Sequence, residues 1–144
     1  MTSLQHHKSG GLNTKSQGRI RTANRKRGEW GFLIMWEFQV CAGMKKHFEK
    51  GYGPEGEWAR LFAQDEAYIG TELIHDLKGR GLKGEGTYVT LDFWQSQEAY
   101  DAFRKRHLAK YKALDQKCEE MTESEREIGR FARVSIEQGS ILGG

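Results

Sequence analysis

An alternating stretch from Trp30 to Cys41 is the feature that most restricts the folds open to this chain. Every second residue from Trp30 to Val40 is large and apolar, while Glu37 and Gln39 stand among the residues between them. Successive side chains of a strand point to opposite faces of its sheet. The pattern therefore predicts a β-strand with one wholly apolar face.

Two helices and three further strands are predicted after this strand. In chain order they are a helix over 43–62 interrupted at 51–54, strands over 68–76 and 87–94, a long helix over 97–121 with Ser96 as its N-cap, and a short strand over 128–134. The order is β-α-β-β-α-β. It predicts an α+β, ferredoxin-like fold in which both helices cover one face of an antiparallel sheet.

The other face of the predicted sheet is unusually apolar. If Phe93 faces the helices, the alternation of the third strand puts Tyr88 and Trp94 on the opposite face, beside Leu33 and Met35 of the first strand. These apolar residues are mixed there with polar ones, namely Glu37, Gln39, Glu72 and Asp92. An apolar patch of this kind is typical of a surface that binds a partner. We therefore expect a homodimer joined sheet to sheet.

Charge is distributed unevenly along the chain. Residues 1–28 contain seven basic residues and no acidic one, so the remainder carries 16 basic and 20 acidic residues and a net charge of −4. The prediction is a disordered basic tail at 1–28, a folded domain at 29–136 and a flexible tail at 137–144. The tail is either a solvated leader or an electrostatic tether. An acidic folded body argues against nucleic acid as a partner.

The remaining composition indicates a cytoplasmic protein. The longest apolar run, 32–36, is far too short to cross a bilayer, so no membrane association is expected. The two cysteines, Cys41 and Cys118, have neither zinc-site spacing nor the density of a disulfide scaffold, which favours reduced thiols.

Two segments resemble a known family. The stretch from Phe48 to Phe62 with Tyr68-Ile69-Gly70-Thr71-Glu72-Leu73, and the stretch from Tyr88 to Trp94 with Ser96, Glu98, Ala99 and Phe103, resemble the antibiotic biosynthesis monooxygenase family of dimeric α+β barrels. The resemblance covers about residues 30–134. It implies a ferredoxin-like protomer that pairs through its sheet, and a small-molecule cavity between sheet and helices.

The resemblance is less specific for chemistry than for fold. The family includes cofactor-independent oxygenases of aromatic polyketides and haem-degrading enzymes. The haem degraders use an Asn, a Trp and a His, but the asparagines of this chain, Asn13 and Asn24, lie in the predicted tail. No cofactor and no metal are therefore predicted.

Seven residues are candidates for a site. Histidine can shuttle protons or bind haem, and a tyrosine can hydrogen-bond an anion. The catalytic candidates are His107, His75 and Tyr111, and the ligand-binding candidates are Trp36, Trp58, Phe62 and Phe93. The aromatic residues suit the walls of a cavity for a planar ligand, and they equally suit a filled core. His107 is alternatively a histidine at the edge of the core, and His75, beside Asp76, a polar strand end.

Two other patterns are rejected as sites. The glycine pattern of 79–84 matches a dinucleotide motif, but it falls between two predicted strands with no helix N-terminus to hold a phosphate. The acidic run of 119–127 lacks the spaced ligands of a calcium loop.

Two functions stay open at this level. The first is an oxygenase-like enzyme that binds a small hydrophobic or aromatic molecule, takes a proton from it and lets dioxygen react. The second is a non-catalytic dimeric domain that binds a metabolite or serves in assembly.

Overall fold

The structure is a computed structural model that describes residues 26–78 and 83–134. Its elements are a 3₁₀ turn (Lys26–Glu29), β1 (Phe32–Val40), α1 (Lys45–Tyr52), α2 (Glu57–Phe62), β2 (Tyr68–His75), β3 (Gly86–Trp94), α3 (Gln97–Arg106), α4 (Leu108–Cys118), a 3₁₀ turn (Glu119–Met121) and β4 (Thr122–Ala132). Most of the predicted tail, the C-terminal tail and most of the glycine pattern lie outside these residues.

The four strands form one antiparallel sheet of order β2-β3-β1-β4. This is the ferredoxin-like arrangement, so the predicted fold class is confirmed. Within the described residues the sheet stays open and a single chain closes no barrel. Both sheet edges, β2 and β4, are therefore available in one protomer.

The register of β1 and β3 decides which side chains face the helices. Phe32 pairs with Trp94 and Phe38 with Tyr88, and all four side chains are buried in the core. The expectation that Phe93 lies between sheet and helices is wrong, because Phe93 is on the opposite face of the sheet from Trp94, where it packs against Trp30 at 5.1 Å. Tyr88 and Trp94 were accordingly assigned to the wrong face.

The face turned away from the helices is apolar, as expected, and it holds Leu33 and Met35 as predicted, but Leu91 and Phe93 take the places expected for Tyr88 and Trp94. Leu33 lies opposite Phe93 and Met35 opposite Leu91 in the β1–β3 ladder. Ile74 and Phe131 extend this surface on the two edge strands, and they are 52% and 42% exposed. We call it the open face of the sheet.

The interruption predicted in the first helix is present. α1 ends at Tyr52 and α2 begins at Glu57, so Pro54 lies in the turn and does not open α2. Gly56 packs so closely on the end of α1 that a Cβ there would overlap the carbonyl oxygens of Lys50 and Gly51. Glycine at this position allows two short helices to cover the sheet together.

The long helix predicted over 97–121 is two helices that meet at His107. Ser96 caps α3 as expected, because its Oγ accepts a hydrogen bond from the Ala99 N–H at 3.1 Å. At His107 the backbone leaves helical geometry with φ −115°, and α4 begins at Leu108. The same 3-and-4 spacing of apolar residues on both sides conceals this break. No helix among the described residues is long and apolar enough to cross a membrane.

Candidate functional site

A row of polar groups on β3 faces the helices inside the core. Thr90, Asp92 and Trp94 alternate along the strand and so point to the same side, and each is at most 1% exposed. A fully buried carboxylate in the middle of an aromatic core is costly unless it is neutralised or hydrogen-bonded. We call these three residues the β3 polar row.

Asp92 is supported on one oxygen only. The Thr71 hydroxyl donates to Asp92 Oδ1 at 2.6 Å, and the hydroxyls of Tyr68 and Thr71 are also 2.6 Å apart. Asp92 Oδ2 has no hydrogen-bond partner among the described residues. Burial raises the pKa of the Asp92 carboxyl to about 7, although the hydrogen bond from Thr71 acts in the opposite direction. Near neutral pH this carboxyl can therefore both take up and release a proton.

The other two members of the row are also unsatisfied. Within the described residues, neither Thr90 Oγ1 nor Trp94 Nε1 has a hydrogen-bond partner. Buried polar atoms are nearly always paired with protein, ordered water or a ligand. Three such groups on one strand make the β3 polar row a candidate site for water or a bound molecule.

Two arginines converge on Tyr100 at the side of this region. Arg104 Nη1 donates to the Tyr100 hydroxyl at 3.1 Å, and its guanidinium lies over the Tyr111 ring at 3.9 Å. The Arg130 guanidinium lies 5.7 Å from the centre of the Tyr100 ring. We call Tyr100, Arg104, Tyr111 and Arg130 the arginine–tyrosine cluster.

The sheet register links this cluster to the polar row. Asp92 of β3 and Arg130 of β4 both pair with Ile34 of β1, so they lie on one face with one strand between them. Two strand spacings separate their backbones by about 10 Å. Trp36 is on the same face, paired with Thr90, and is only partly buried.

Trp58, Phe62 and Tyr111, three of the predicted site residues, do come together. The Trp58 ring is 5.3 Å from Tyr111 and 5.9 Å from Phe62, and each of the three is at most 2% exposed. Their rings contact one another directly. They form part of a packed aromatic core. Among the predicted ligand-binding residues, Trp36 lies at the border of this core.

The two histidines lie apart from the polar row. The His107 ring packs on Phe103 at 4.8 Å, and burial, Lys110 and Arg106 lower its pKa. His75 stacks on Tyr88 with ring centres 4.0 Å apart, and its Nε2 is 3.1 Å from the Glu85 carbonyl oxygen.

Asp76, the neighbour of His75 at the end of β2, accepts a hydrogen bond from the Lys78 N–H. Catalytic roles for His107 and His75 stay predictions.

A separate acidic cleft of about 290 Å³ opens between the end of α4 and the start of β4. It is lined by Tyr52, Asp115, Cys118, Glu119, Thr122, Glu123, Ser124 and Glu125. Burial, and then the charge of Glu125, raises the pKa of Asp115 to about 7. Among the described residues no group of three or more His, Cys, Asp or Glu side chains is arranged to hold a metal ion.

Sequence reasoning missed Asp92 and Arg104. Asp92 carried a usable indication, because it is an acid between Leu91 and Phe93 in a strand predicted to be mostly buried. Assignment of the wrong strand face concealed it. Arg104 sits among Lys105 and Arg106 and looks like part of a solvated basic helix end, so its burial depends on tertiary packing alone.

These elements define an α+β protein of ferredoxin-like topology with a polar row inside an aromatic core. The fold is also that of a Bacillus cereus protein whose crystal structure is described as a "putative antibiotic biosynthesis monooxygenase". The two share 18% identity with a TM-score of 0.51, over 75% of this chain and 97% of that one. The resemblance seen in the sequence is thus confirmed in the fold. No family model and no curated protein matches the chain by sequence.

Proposed function

We propose that this protein binds a small aromatic molecule against the β3 polar row and that Asp92 accepts a proton from it. The observation that carries the proposal is the fully buried Asp92 carboxyl with Oδ2 unpartnered. A carboxyl whose pKa lies near the working pH is well suited to general acid–base chemistry. Trp36, partly buried beside Thr90, supplies an apolar surface for a flat ring.

The reaction that fits this arrangement is a cofactor-independent monooxygenation. Asp92 would take a proton from an activated methylene group, and the resulting carbanion would reduce dioxygen. In the balanced reaction the CH₂ group becomes C=O, one oxygen atom enters the product, and the other leaves as water with both hydrogens. The name of the Bacillus cereus protein supports this reaction by analogy only.

We also propose that the protein works as a homodimer joined through the open face of the sheet. Leu33, Met35 and Leu91 are neighbouring, half-buried apolar residues there, and apolar patches on an outer face are typical of interfaces. The same face supports the second function, a non-catalytic dimeric domain. Both cysteines are free thiols, which favours the predicted cytoplasmic location.

Binding is tested with the unlabelled full-length protein and a panel of one-ring to three-ring phenols and aromatic ketones. We expect hydroxylated members to raise the melting temperature, because they bind the folded state selectively. Asp92→Asn should abolish this rise, and Asp101→Asn, an exposed carboxyl on α3, should preserve it. If no member of the panel binds, or if Asp92→Asn leaves binding unchanged, the proposal is refuted.

The oxygenase reaction has its own test. A ligand that binds should consume one dioxygen per product without added metal or flavin, and Asp92→Asn should stop consumption. Tight binding with no dioxygen consumption would leave the non-catalytic function as the better description.

A further inference from the structure

The Arg104 guanidinium has an unusual environment. Its Nη1 is used by the Tyr100 hydroxyl, but its Nε is shielded from solvent and has no partner among the described residues. None of the ion pairs found between described residues includes Arg104. A buried cationic donor without an acceptor is costly, so an acceptor from outside the chain would stabilise it.

The orientation of Arg104 defines what acceptor would fit. The Tyr111 ring lies against the guanidinium, whose carbon is 3.9 Å from the ring centre. Nη1 is engaged by Tyr100, which leaves the edge formed by Nε and Nη2. This edge presents two parallel N–H donors, the geometry that a carboxylate accepts in bidentate fashion.

Arg130 contributes charge to the same region but no free donor edge. Its Nε and Nη2 donate to both carboxylate oxygens of Glu127, at 2.8 and 3.1 Å. The charge of Arg104 lowers the pKa of Asp115, but the two side chains form no ion pair. Burial outweighs this effect and raises the pKa of Asp115 to about 7. Arg104 is therefore the one member of the cluster that is placed to receive an anion.

We propose that Arg104 selects ligands that carry a carboxylate, so that the natural ligand is an aromatic acid. The inference rests on the proposed function, because the carboxylate would be held at Arg104 while the ring extends over Trp36 toward Asp92.

The test compares two probes with the same ring system, 2-naphthoate and the neutral 2-naphthalenemethanol, by titration calorimetry at pH 8. A charge-assisted hydrogen bond contributes about 1.5–3 kcal/mol. The wild-type protein should therefore bind 2-naphthoate at least about tenfold more tightly than the neutral probe.

Three variants assign the preference to a residue. Arg104→Gln should remove the preference for 2-naphthoate and leave the affinity for 2-naphthalenemethanol nearly unchanged. Arg104→Lys keeps the positive charge but lacks the two parallel N–H donors, so it should restore only part of the preference for 2-naphthoate. It also replaces Arg104→Gln in the test if that variant does not fold. Arg130→Gln, a matched loss of one arginine charge, should reduce the preference much less.

The possible failures are distinguishable. If both probes bind the wild-type protein equally, or if the preference persists in both Arg104 variants, the anion proposal is overturned while the proposed aromatic site stands. If neither probe binds, the aromatic site and the anion proposal are both overturned.

Discussion

Replacing Asp92 with Asn should make the protein more stable above neutral pH and should flatten the pH dependence of its stability. Asparagine has nearly the same shape, and its Oδ1 can still accept the hydrogen bond from Thr71. Its Nδ2 replaces the unpartnered Oδ2 with a group that carries no charge at any pH of the experiment. The substitution therefore removes a buried ionisable group and keeps the surrounding contacts.

The size of the effect follows from the pKa of Asp92. The carboxyl has a pKa of about 7 in the folded protein against 3.8 for an aspartate side chain in water. Between these values the folded state holds a proton that the unfolded state has released, so the free energy of unfolding falls as pH rises. Three pKa units at about 1.4 kcal/mol each make a loss of about 4 kcal/mol between pH 4 and pH 8.

Urea denaturation at half-unit steps from pH 4 to pH 8 measures this difference. The wild-type protein should lose stability relative to Asp92→Asn across that range, with most of the divergence below pH 7. Asp115→Asn is the matched control, because the pKa of Asp115 is also about 7 but its carboxyl is partly exposed. Because solvent screens a partly exposed charge, Asp115→Asn should change the pH dependence of stability clearly less than Asp92→Asn does.

Two results would refute this reasoning. Parallel pH profiles for the wild-type protein and Asp92→Asn would mean that Asp92 is solvated or paired and titrates normally. A variant that is less stable than wild type at pH 8 would mean that ionised Asp92 has a stabilising partner in the folded protein.

Other substitutions test the packing and the assembly. Trp58→Ala should cost roughly 3–5 kcal/mol in urea denaturation, because the indole is 2% exposed within the aromatic core; a loss below 1 kcal/mol would indicate an open cavity beside it. Gly56→Ala should lower the melting temperature, since its Cβ would overlap the last carbonyls of α1. Leu91→Lys on the open face should yield a folded monomer in sedimentation velocity, whereas an unchanged dimer would place the interface elsewhere. Removal of residues 1–25 should leave the melting temperature unchanged.

The topology was predictable because it depends on coarse patterns. The alternation of β1 and the capping residue Ser96 are local patterns, and each predicts one element without reference to the rest of the chain. The order of the elements then leaves few ways to cover an antiparallel sheet. The break at His107 was not predictable. Both Phe103 before it and Tyr111 after it fit one continuous apolar stripe, so the spacing of apolar residues does not reveal that the helix ends at Arg106.

The candidate site was harder to predict from the sequence because β3 carries large apolar residues on both of its faces. Val89, Leu91 and Phe93 form the more hydrophobic set, and burial alone favours turning them inward. The structure instead buries the set with Tyr88 and Trp94, whose larger rings fill the space against the helices. Asp92 is carried inside with them.

β4 has a further consequence for how the protein behaves at high concentration. It is a long edge strand with unpaired backbone groups on one side, and such edges can recruit strands from other molecules and start fibrous aggregation. Five of its eleven residues are charged. Repeated charges along an edge make further strand addition unfavourable, so this composition guards the chain against edge-to-edge aggregation.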